Sequence, residues 1–542
     1  MRKVIYNAKV YRRRGLFAEA VLIEDRRITA VGTSREILSA APAGTEKIDA
    51  QGGTLIPGFQ DCHLHLYHTA LRLQAIDGTG ITSIEALIER GRETIARLKP
   101  PAGTVVSGAG VNNDAFTAGP RCPTRYDLDK ISTAHGIIIS RVCGHLVFCN
   151  SKALEMAGIA DSAPDIEGGQ IHRDETGKPN GIVSENAAAL VRRIIPPPSE
   201  DELQAALEYA MTRAVTHGLT GAGSFDVFGP EFAAVANAFT RIYENRGSRL
   251  RVIMQCGIAG EERYLDELIH RGLTTGQFLY GDYLKMGPVK LFADGSLGSR
   301  TAWLRKPYQD AETIGVPALE TPVLRALIQK ADAQGLQVAV HAIGDAAVDA
   351  VVSAYEALTT AGTRAGPNPL RHALIHCQIT DRLLLERMKQ QDILALVQPI
   401  FLANDLYIAE SRVGRALAST SYAWGTMEKL GIHAAYGTDC PVESINPLEG
   451  IACAVTRKNA SADYPKGGFF PEERVDVYTA VDNYTAGTAY ANFDEHRTGR
   501  IAPGYLADLT LLDRDIFTLQ AEEIPSARVL LTMIGGEAAY SA

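Results

Sequence analysis

The middle of this 542-residue chain alternates short apolar runs with helical stretches, and each apolar run ends in Gly, His, Asp, Gln or Pro. One such run, TLIP, comes shortly before His63, and seven more lie in THGLTGAGSF, LRVIMQCGI, YLKMGPVKLFADGS, LQVAVHAIGD, RHALIHCQ, ILALVQPIF and HAAYGTDCPV. Strands that alternate with helices form βα units and a parallel sheet. Eight strands predict an α/β fold of the (β/α)8 TIM barrel type, whose chemistry lies at the C-terminal strand ends.

Both ends of the chain differ from this middle, because they contain short strand-like runs between turn residues. We therefore expect a small β-sandwich domain built from both termini, residues 1–56 and 489–542, around a barrel of residues 57–488. Residues 67–200 separate the first two candidate strands, and they predict an insertion over the barrel mouth. Three consecutive prolines, 196–198, mark its exit.

Composition excludes several classes of function. The net charge of -9, without a basic block, makes nucleic acid an unexpected partner. No apolar run approaches the ~20 residues that a membrane helix needs, and the N-terminus lacks the apolar core of a signal peptide. The eight cysteines form no CxxC pair, which is typical of reduced thiols in a cytoplasmic protein.

Six polar side chains lie at the expected strand ends: His63, His65, Lys290, His341, His376 and Asp439. In a strand, residues two apart point to the same face, so the HxH pair would project together. Imidazole nitrogens and carboxylate oxygens are the usual zinc ligands, and this set could hold two divalent metal ions. A lysine repels cations unless its amine has reacted with CO2, which would give a carbamate that bridges the metals.

Each of these residues also has an ordinary structural explanation. Lys290 alone would be a surface lysine, Asp439 in GTDCP could start a turn, and a single histidine at a strand end is usually a satisfied polar residue. The metal hypothesis depends on all six residues falling at strand ends in order.

The motifs PGFQDCHLH, VKLFADGSLGSRTA, VAVHAIGDAAV, LIHCQ and YGTDCPVESINPL resemble the amidohydrolase superfamily, specifically its YtcJ-like branch, which includes N-substituted formamide deformylases. The segments RCPTRYDLDK, GHLVFCNSKALEMAGI and EHRTGRIAPGYLADLTLLDRD extend the resemblance over nearly the whole chain. It implies a metal-bearing barrel with a β-sandwich. It also implies that Lys290 is the residue carboxylated in binuclear members, that Asp439 is both ligand and proton shuttle, and that a homodimer forms.

The sequence departs from the pattern of this branch in two places. GVNNDAF replaces a loop that often contains Trp in relatives, and RHALIHCQ lacks an acidic residue that often precedes the histidine. Both departures lie in the substrate pocket or beside the ligands, so they weaken the inference about the substrate and leave the metal set complete.

The expected activity is hydrolysis of a non-peptide C–N bond in a small molecule, such as an amide, an N-substituted formamide or a cyclic amide. A metal-activated hydroxide would attack, and Asp439 would pass the proton to the leaving amine. Two Zn²⁺ ions are expected, although the sequence does not distinguish zinc from manganese, iron or cobalt. Candidate substrate contacts are His145, Glu185, Arg300 and Gln398.

Two alternatives to this activity stay open. A lactonase, deaminase or decarboxylase could use the same metal site, because fold does not determine function. A non-catalytic binding or regulatory protein is the remaining alternative, although such proteins usually lose metal ligands.

Overall fold

The computed structural model describes residues 2–141, 146–166, 169–360, 366–459 and 463–542. Within them the chain forms two units, Met1–Leu66 with Gln204–Ala542, and Tyr67–Leu203. The first unit begins with seven strands and one helix: β1 (Arg2–Tyr6), β2 (Lys9–Arg13), β3 (Leu16–Ala18), β4 (Ala20–Glu24), β5 (Arg27–Gly32), α1 (Ser34–Ala40), β6 (Glu46–Asp49) and β7 (Thr54–Pro57). The first barrel strand, β8 (Phe59–Leu64), follows directly.

The second unit has its own sheet of six strands, in the order β13-β14-β12-β11-β10-β9. Its strands are β9 (Ile76–Asp77), β10 (Val105–Val111), β11 (Gly136–Arg141), β12 (Leu146–Cys149), β13 (Gly169–Arg173) and β14 (Pro179–Glu185). Its helices are α2 (Leu66–Gln74), α3 (Ile84–Leu98), α4 (Arg125–Leu128), α5 (Ser151–Met156) and α6 (Ala188–Arg192), with a 3₁₀ turn at Asn113–Ala115. The segment between the first two barrel strands is therefore a compact unit with a hydrophobic core of its own.

The barrel continues with β15 (Leu219–Phe228), β16 (Arg251–Gly257), β17 (Phe278–Tyr280), β18 (Leu284–Phe292), β19 (Val338–Ala342), β20 (Ala373–His376), β21 (Leu394–Val397) and β22 (Ala434–Tyr436). The parallel strands follow the order β8-β15-β16-β18-β19-β20-β21-β22, and the short β17 pairs antiparallel with β18. Their residues are almost all buried, as expected for parallel strands that are covered on both faces. The prediction of a (β/α)8 barrel is confirmed.

The helices of this part of the chain are α7 (Glu200–Thr216), α8 (Phe232–Glu244), α9 (Glu262–His270), α10 (Thr321–Ala333), α11 (Asp345–Thr360), α12 (Arg382–Gln390), α13 (Leu402–Asp405), α14 (Ala409–Val413), α15 (Arg415–Ala418), α16 (Trp424–Leu430), α17 (Pro447–Thr456), α18 (Val477–Asp482) and α19 (Thr488–Ala491). Short 3₁₀ turns lie at Pro399–Phe401, Pro471–Glu473 and Ala521–Ser526, and a π turn at Asn483–Gly487. No helix of the described residues combines the length and apolar character that crossing a bilayer requires.

Strands from both termini pack together, as expected. The last strands are β23 (Leu509–Leu512), β24 (Val529–Ile534) and β25 (Glu537–Ser541), and β23 pairs antiparallel with β7. The resulting sheet, β25-β24-β23-β7-β2-β3, shares one hydrophobic core with the sheet β5-β4-β1-β6. The limits 1–56, 57–488 and 489–542, and the position of the insertion, stay predictions.

The structure corrects one detail near the first histidines. The TLIP run is β7 of the terminal sheet, and the first barrel strand, Phe59–Leu64, contains His63 within it. Gly58 separates the two strands, and a Cβ there would come within 2.1 Å of the Thr220 side chain. Only glycine allows the chain to pass this close to β15 while it moves from one sheet to the next.

Direct hydrogen bonds join the first strand to the segment after the last one. The Asp439 amide donates to the His63 carbonyl at 2.8 Å, and the His65 amide donates to the Cys440 carbonyl at 2.8 Å. These bonds close the barrel at its C-terminal rim, where β8 and β22 end.

Candidate metal centre

His63 and His65 both lie at the C-terminal end of the first barrel strand, with ring centroids 5.3 Å apart. His63 Nδ1 is 2.6 Å from Gln255 Oε1, and His65 Nδ1 is 2.9 Å from the Phe225 carbonyl oxygen. Both partners are acceptors, so both Nδ1 atoms carry a hydrogen and each Nε2 is turned towards Asp439.

A bulge in β15 explains why the Phe225 carbonyl is available to His65. The register between β15 and β16 shifts between Phe225 and Val227, so one extra residue stands on β15 at that point. A bulge turns the local backbone away from the regular ladder.

His341 and His376 end the fifth and sixth barrel strands, and their ring centroids are 4.5 Å apart. His376 repeats the arrangement of His63, because its Nδ1 is 2.7 Å from Gln398 Oε1. His341 is turned the other way, since its Nε2 lies 2.9 Å from the Gly295 carbonyl oxygen. This contact places the hydrogen of His341 on Nε2 and the lone pair on Nδ1.

Asp439 follows β22 and lies against the first pair of histidines. Its Oδ1 is 3.0 Å from His65 Nε2 and 3.4 Å from His63 Nε2, and possible ligand atoms of the three residues all lie within 4.8 Å of one another. His376 and Asp439 have φ angles of 73° and 54°, in the left-handed region that side chains with a Cβ rarely adopt. Such backbone strain is common at functional sites.

Lys290 lies within the fourth barrel strand and is 1% exposed. Its Nζ has no hydrogen-bond partner among the described residues, and the rings of Phe292 and Phe225 lie 4.7 and 5.7 Å away. Burial lowers the pKa of this amine to about 7. The lysine is therefore not a surface residue, and it forms no ion pair with the residues that the structure describes.

Burial also determines the charge of the histidines. It lowers the pKa of His63 and His376 well below the ordinary value and that of His341 to about 3, so these rings are neutral. Burial acts in the same direction on His65, but the adjacent Asp439 outweighs it and the pKa of His65 is raised. Neutral imidazole is the form that binds metal ions.

The arrangement fits divalent cations. Asp439 Oδ1 is buried, and it faces the Nε2 atoms of His63 and His65. Two imidazole nitrogens and a carboxylate oxygen directed at one another need a cation between them, either the proton on His65 that the raised pKa of this ring indicates or a metal ion in its place. Lys290 Nζ and Asp439 Oδ1 are buried beside the four histidines, so the six predicted ligands lie together at one end of the barrel.

The four predicted substrate contacts lie in different surroundings. Gln398 is buried, and its amide bonds His376 and the Leu396 carbonyl. Arg300 forms a two-bond ion pair with Asp310, at 2.8 and 3.1 Å. Glu185 ends β14 of the second unit with a φ of 50°, and His145 lies outside the described residues. The substrate role of all four stays a prediction.

Sequence reasoning missed two buried carboxylates beside the ligands. Asp61 accepts the His63 amide at 2.9 Å and, through its other oxygen, the Thr438 amide and hydroxyl. Asp294 accepts the backbone amides of Trp303, Ile343 and Gly344. Burial raises the pKa of each to about 7. Their only signal in the sequence is an acidic residue close to a predicted ligand, in QDCH and KLFAD.

Gln255 was missed as well. Its only signal is a polar residue within the otherwise apolar strand RVIMQCG.

A barrel with clustered histidines, a buried lysine and an aspartate at its C-terminal rim defines the class of metal-dependent hydrolases. The model of the amidohydrolase family matches residues 46–540. YtcJ of Bacillus subtilis (strain 168), named as an amidohydrolase, is 33% identical over 527 residues, 96% of this chain and 96% of that protein. The chain belongs to the amidohydrolase family, and the resemblance to YtcJ is confirmed.

Two further relatives cover almost the whole chain. The N-substituted formamide deformylase of Arthrobacter pascens is 26% identical over 548 aligned positions, 98% of this chain and 97% of that protein. The crystal structure of an uncharacterized metal-dependent hydrolase from Pyrococcus furiosus superimposes with a TM-score of 0.77 at 28% identity, covering 96% of this chain and 100% of that one.

Proposed function

We propose that this protein hydrolyses a non-peptide C–N bond of a small molecule, giving a carboxylic acid and an amine. The observation that carries the proposal is a buried Lys290 amine, without a hydrogen-bond partner in the described part of the chain, and a buried Asp439 carboxylate, beside four histidines whose outer ring nitrogens are all bonded. An amide, an N-substituted formamide or a cyclic amide is the substrate class. The relation to a formamide deformylase supports this choice.

His63 and His65 would hold one divalent ion, His341 and His376 a second, and Asp439 would be a ligand as well. Bound there, two Zn²⁺ ions would lower the pKa of a water and polarise the substrate carbonyl. Lys290 would complete the site as a carbamate, whose negative charge replaces the unfavourable ammonium. Its amine is suited to this reaction, because a pKa of about 7 leaves a large neutral fraction that can attack CO2 and release a proton.

Asp439 would move the proton. Its Oδ1 would accept the hydrogen of the attacking water and return it to the leaving nitrogen, so that one water is consumed for each bond cleaved. General acid–base catalysis of this kind contributes roughly 10²–10⁴-fold to the rate. His145, Glu185, Arg300 and Gln398 are the proposed substrate contacts, and we place the protein, as a homodimer, in the cytoplasm.

The test combines metal analysis with a substrate panel. Protein purified without chelators should contain about two metal ions per chain, and it should release amine from N-substituted formamides or other amides. The Asp439→Asn variant is the matched control, because it keeps a side chain of the same size. Hydrolysis of lactones alone, deamination, or decarboxylation would replace the proposed reaction. A chain without metal after addition of zinc and bicarbonate would contradict the mechanism.

A further inference from the structure

We infer that Gln255 is a positioning residue for the metal centre, and that its amide holds His63 in the orientation and tautomer that a metal ligand needs. The inference rests on the metal centre of the proposed function and is independent of the substrate. Gln255 lies on the third barrel strand, whereas His63 lies on the first, so its side chain must cross the second strand, β15.

Gly223 of β15 makes this crossing possible. A Cβ at Gly223 would come within 2.8 Å of Gln255 Nε2 and 2.5 Å of the Cys62 carbonyl oxygen. Atoms do not approach a real Cβ this closely, so any other residue would displace the glutamine amide or the backbone of β8. Since φ is not positive here, glycine is required by space and not by backbone conformation.

The pairing of β8 with β15 is irregular at this point. The register between β8 and β15 shifts between Ala222 and Ser224, where Cys62 and His63 stand against the single residue Gly223. Gln255 Nε2 donates to the Cys62 carbonyl at 2.8 Å, while Gln255 Oε1 accepts from His63 Nδ1 at 2.6 Å. The side-chain amide of Gln255 thus hydrogen-bonds both residues that lie opposite Gly223, Cys62 and His63.

Only an amide of this length provides both contacts. A carboxylate would accept from His63 but would repel the Cys62 carbonyl, and a leucine would make neither bond. Gln255 is 2% exposed, so water does not replace a lost partner. Partners of metal-bound histidines typically contribute about 10- to 100-fold to metal affinity.

The experiment measures Zn²⁺ affinity by chelator competition in the full chain. Gln255→Leu should bind Zn²⁺ about 10- to 100-fold more weakly than the unmodified protein, and Gln255→Glu should recover part of the loss because it keeps the acceptor. Gln60→Leu is the control, since Gln60 is also a buried glutamine of the barrel but bonds Thr498. Its affinity should match that of the unmodified protein.

A second readout separates positioning from folding. The metal-free forms of Gln255→Leu and Gln60→Leu should unfold at similar temperatures, whereas Gly223→Ala should reproduce the weaker Zn²⁺ binding. The inference would be overturned if the Zn²⁺ affinity of Gln255→Leu lay within twofold of that of the unmodified protein. It would also be overturned if Gln255→Leu and Gln60→Leu lost Zn²⁺ affinity equally. If the unmodified protein binds no Zn²⁺, both the proposed function and this inference fail. If it binds Zn²⁺ without hydrolysing amides, the substrate proposal alone fails.

Discussion

The two halves of the metal centre differ in charge. In the half formed by His63, His65 and Asp439, the carboxylate oxygen lies 3.4 Å from His63 Nε2 and 3.0 Å from His65 Nε2, and it raises the pKa of His65, while burial and the lysine charge lower that of His63. In the half formed by His341, His376 and Lys290, burial lowers both histidine pKa values and the lysine charge lowers them further. The first half can attract a cation with its own residues, whereas the second needs Lys290 to become negative.

The largest effect is expected from Asp439→Asn, which removes the negative charge of the first half and the proposed proton acceptor. The kcat should fall by roughly 10²–10⁴-fold with little change in KM, because a proton shuttle acts in the transition state. Steady-state kinetics with the substrate found in the panel provides the test. A fall of less than tenfold would show that another group moves the proton.

The second prediction concerns pH and the second half alone. The Lys290 pKa of about 7 makes the neutral, CO2-reactive fraction about tenfold smaller at about pH 6 than at about pH 8. At the same concentration of dissolved CO2 at both pH values, uptake of the second metal from added zinc should therefore be slower at the lower pH. The Lys290→Ala variant lacks the amine but keeps His65, so its pH profile shows the effect of His65 alone. Identical pH profiles for Lys290→Ala and the unmodified protein would contradict the prediction.

The third prediction tests whether the halves bind metal independently. Lys290→Ala should retain the metal of the first half and lose that of the second, so the metal content should fall to about half. Formate or acetate could occupy the space of the missing side chain and supply a carboxylate, and added carboxylate should restore part of the second metal. Loss of all metal would mean that the two halves bind as one unit.

The smallest effect is expected for Asp61→Asn, which leaves every ligand in place. Asp61 accepts hydrogen bonds from the His63 amide and from the amide and hydroxyl of Thr438. The NH2 group of an asparagine would face one of these donors and leave it without an acceptor. The free energy of unfolding of the metal-free protein should fall by about 1–3 kcal/mol. Chemical denaturation provides the measurement, with Asp294→Asn as a matched buried carboxylate that supports the other half.

Parts of the site could be predicted because they depend on local pattern. His63 and His65 are two residues apart, and the strand period alone brings both to one face. Lys290, His341, His376 and Asp439 lie within or just after apolar runs that only a parallel barrel arranges side by side. The same pattern predicted the TLIP run wrongly, because this apolar strand before His63 belongs to the terminal sheet and not to the barrel.

The sequence by itself determined the alternation of barrel strands with helices and the polar residues near the strand ends, because hydrophobic period and turn residues are local. Only the tertiary structure decided which nitrogen of each histidine faces the site. The outer ring nitrogen of each histidine bonds a group that is far from it in the sequence: Gln255, the Phe225 carbonyl, the Gly295 carbonyl or Gln398. A tautomer depends on the hydrogen-bond partner of the other ring nitrogen, and here each partner comes from another part of the barrel.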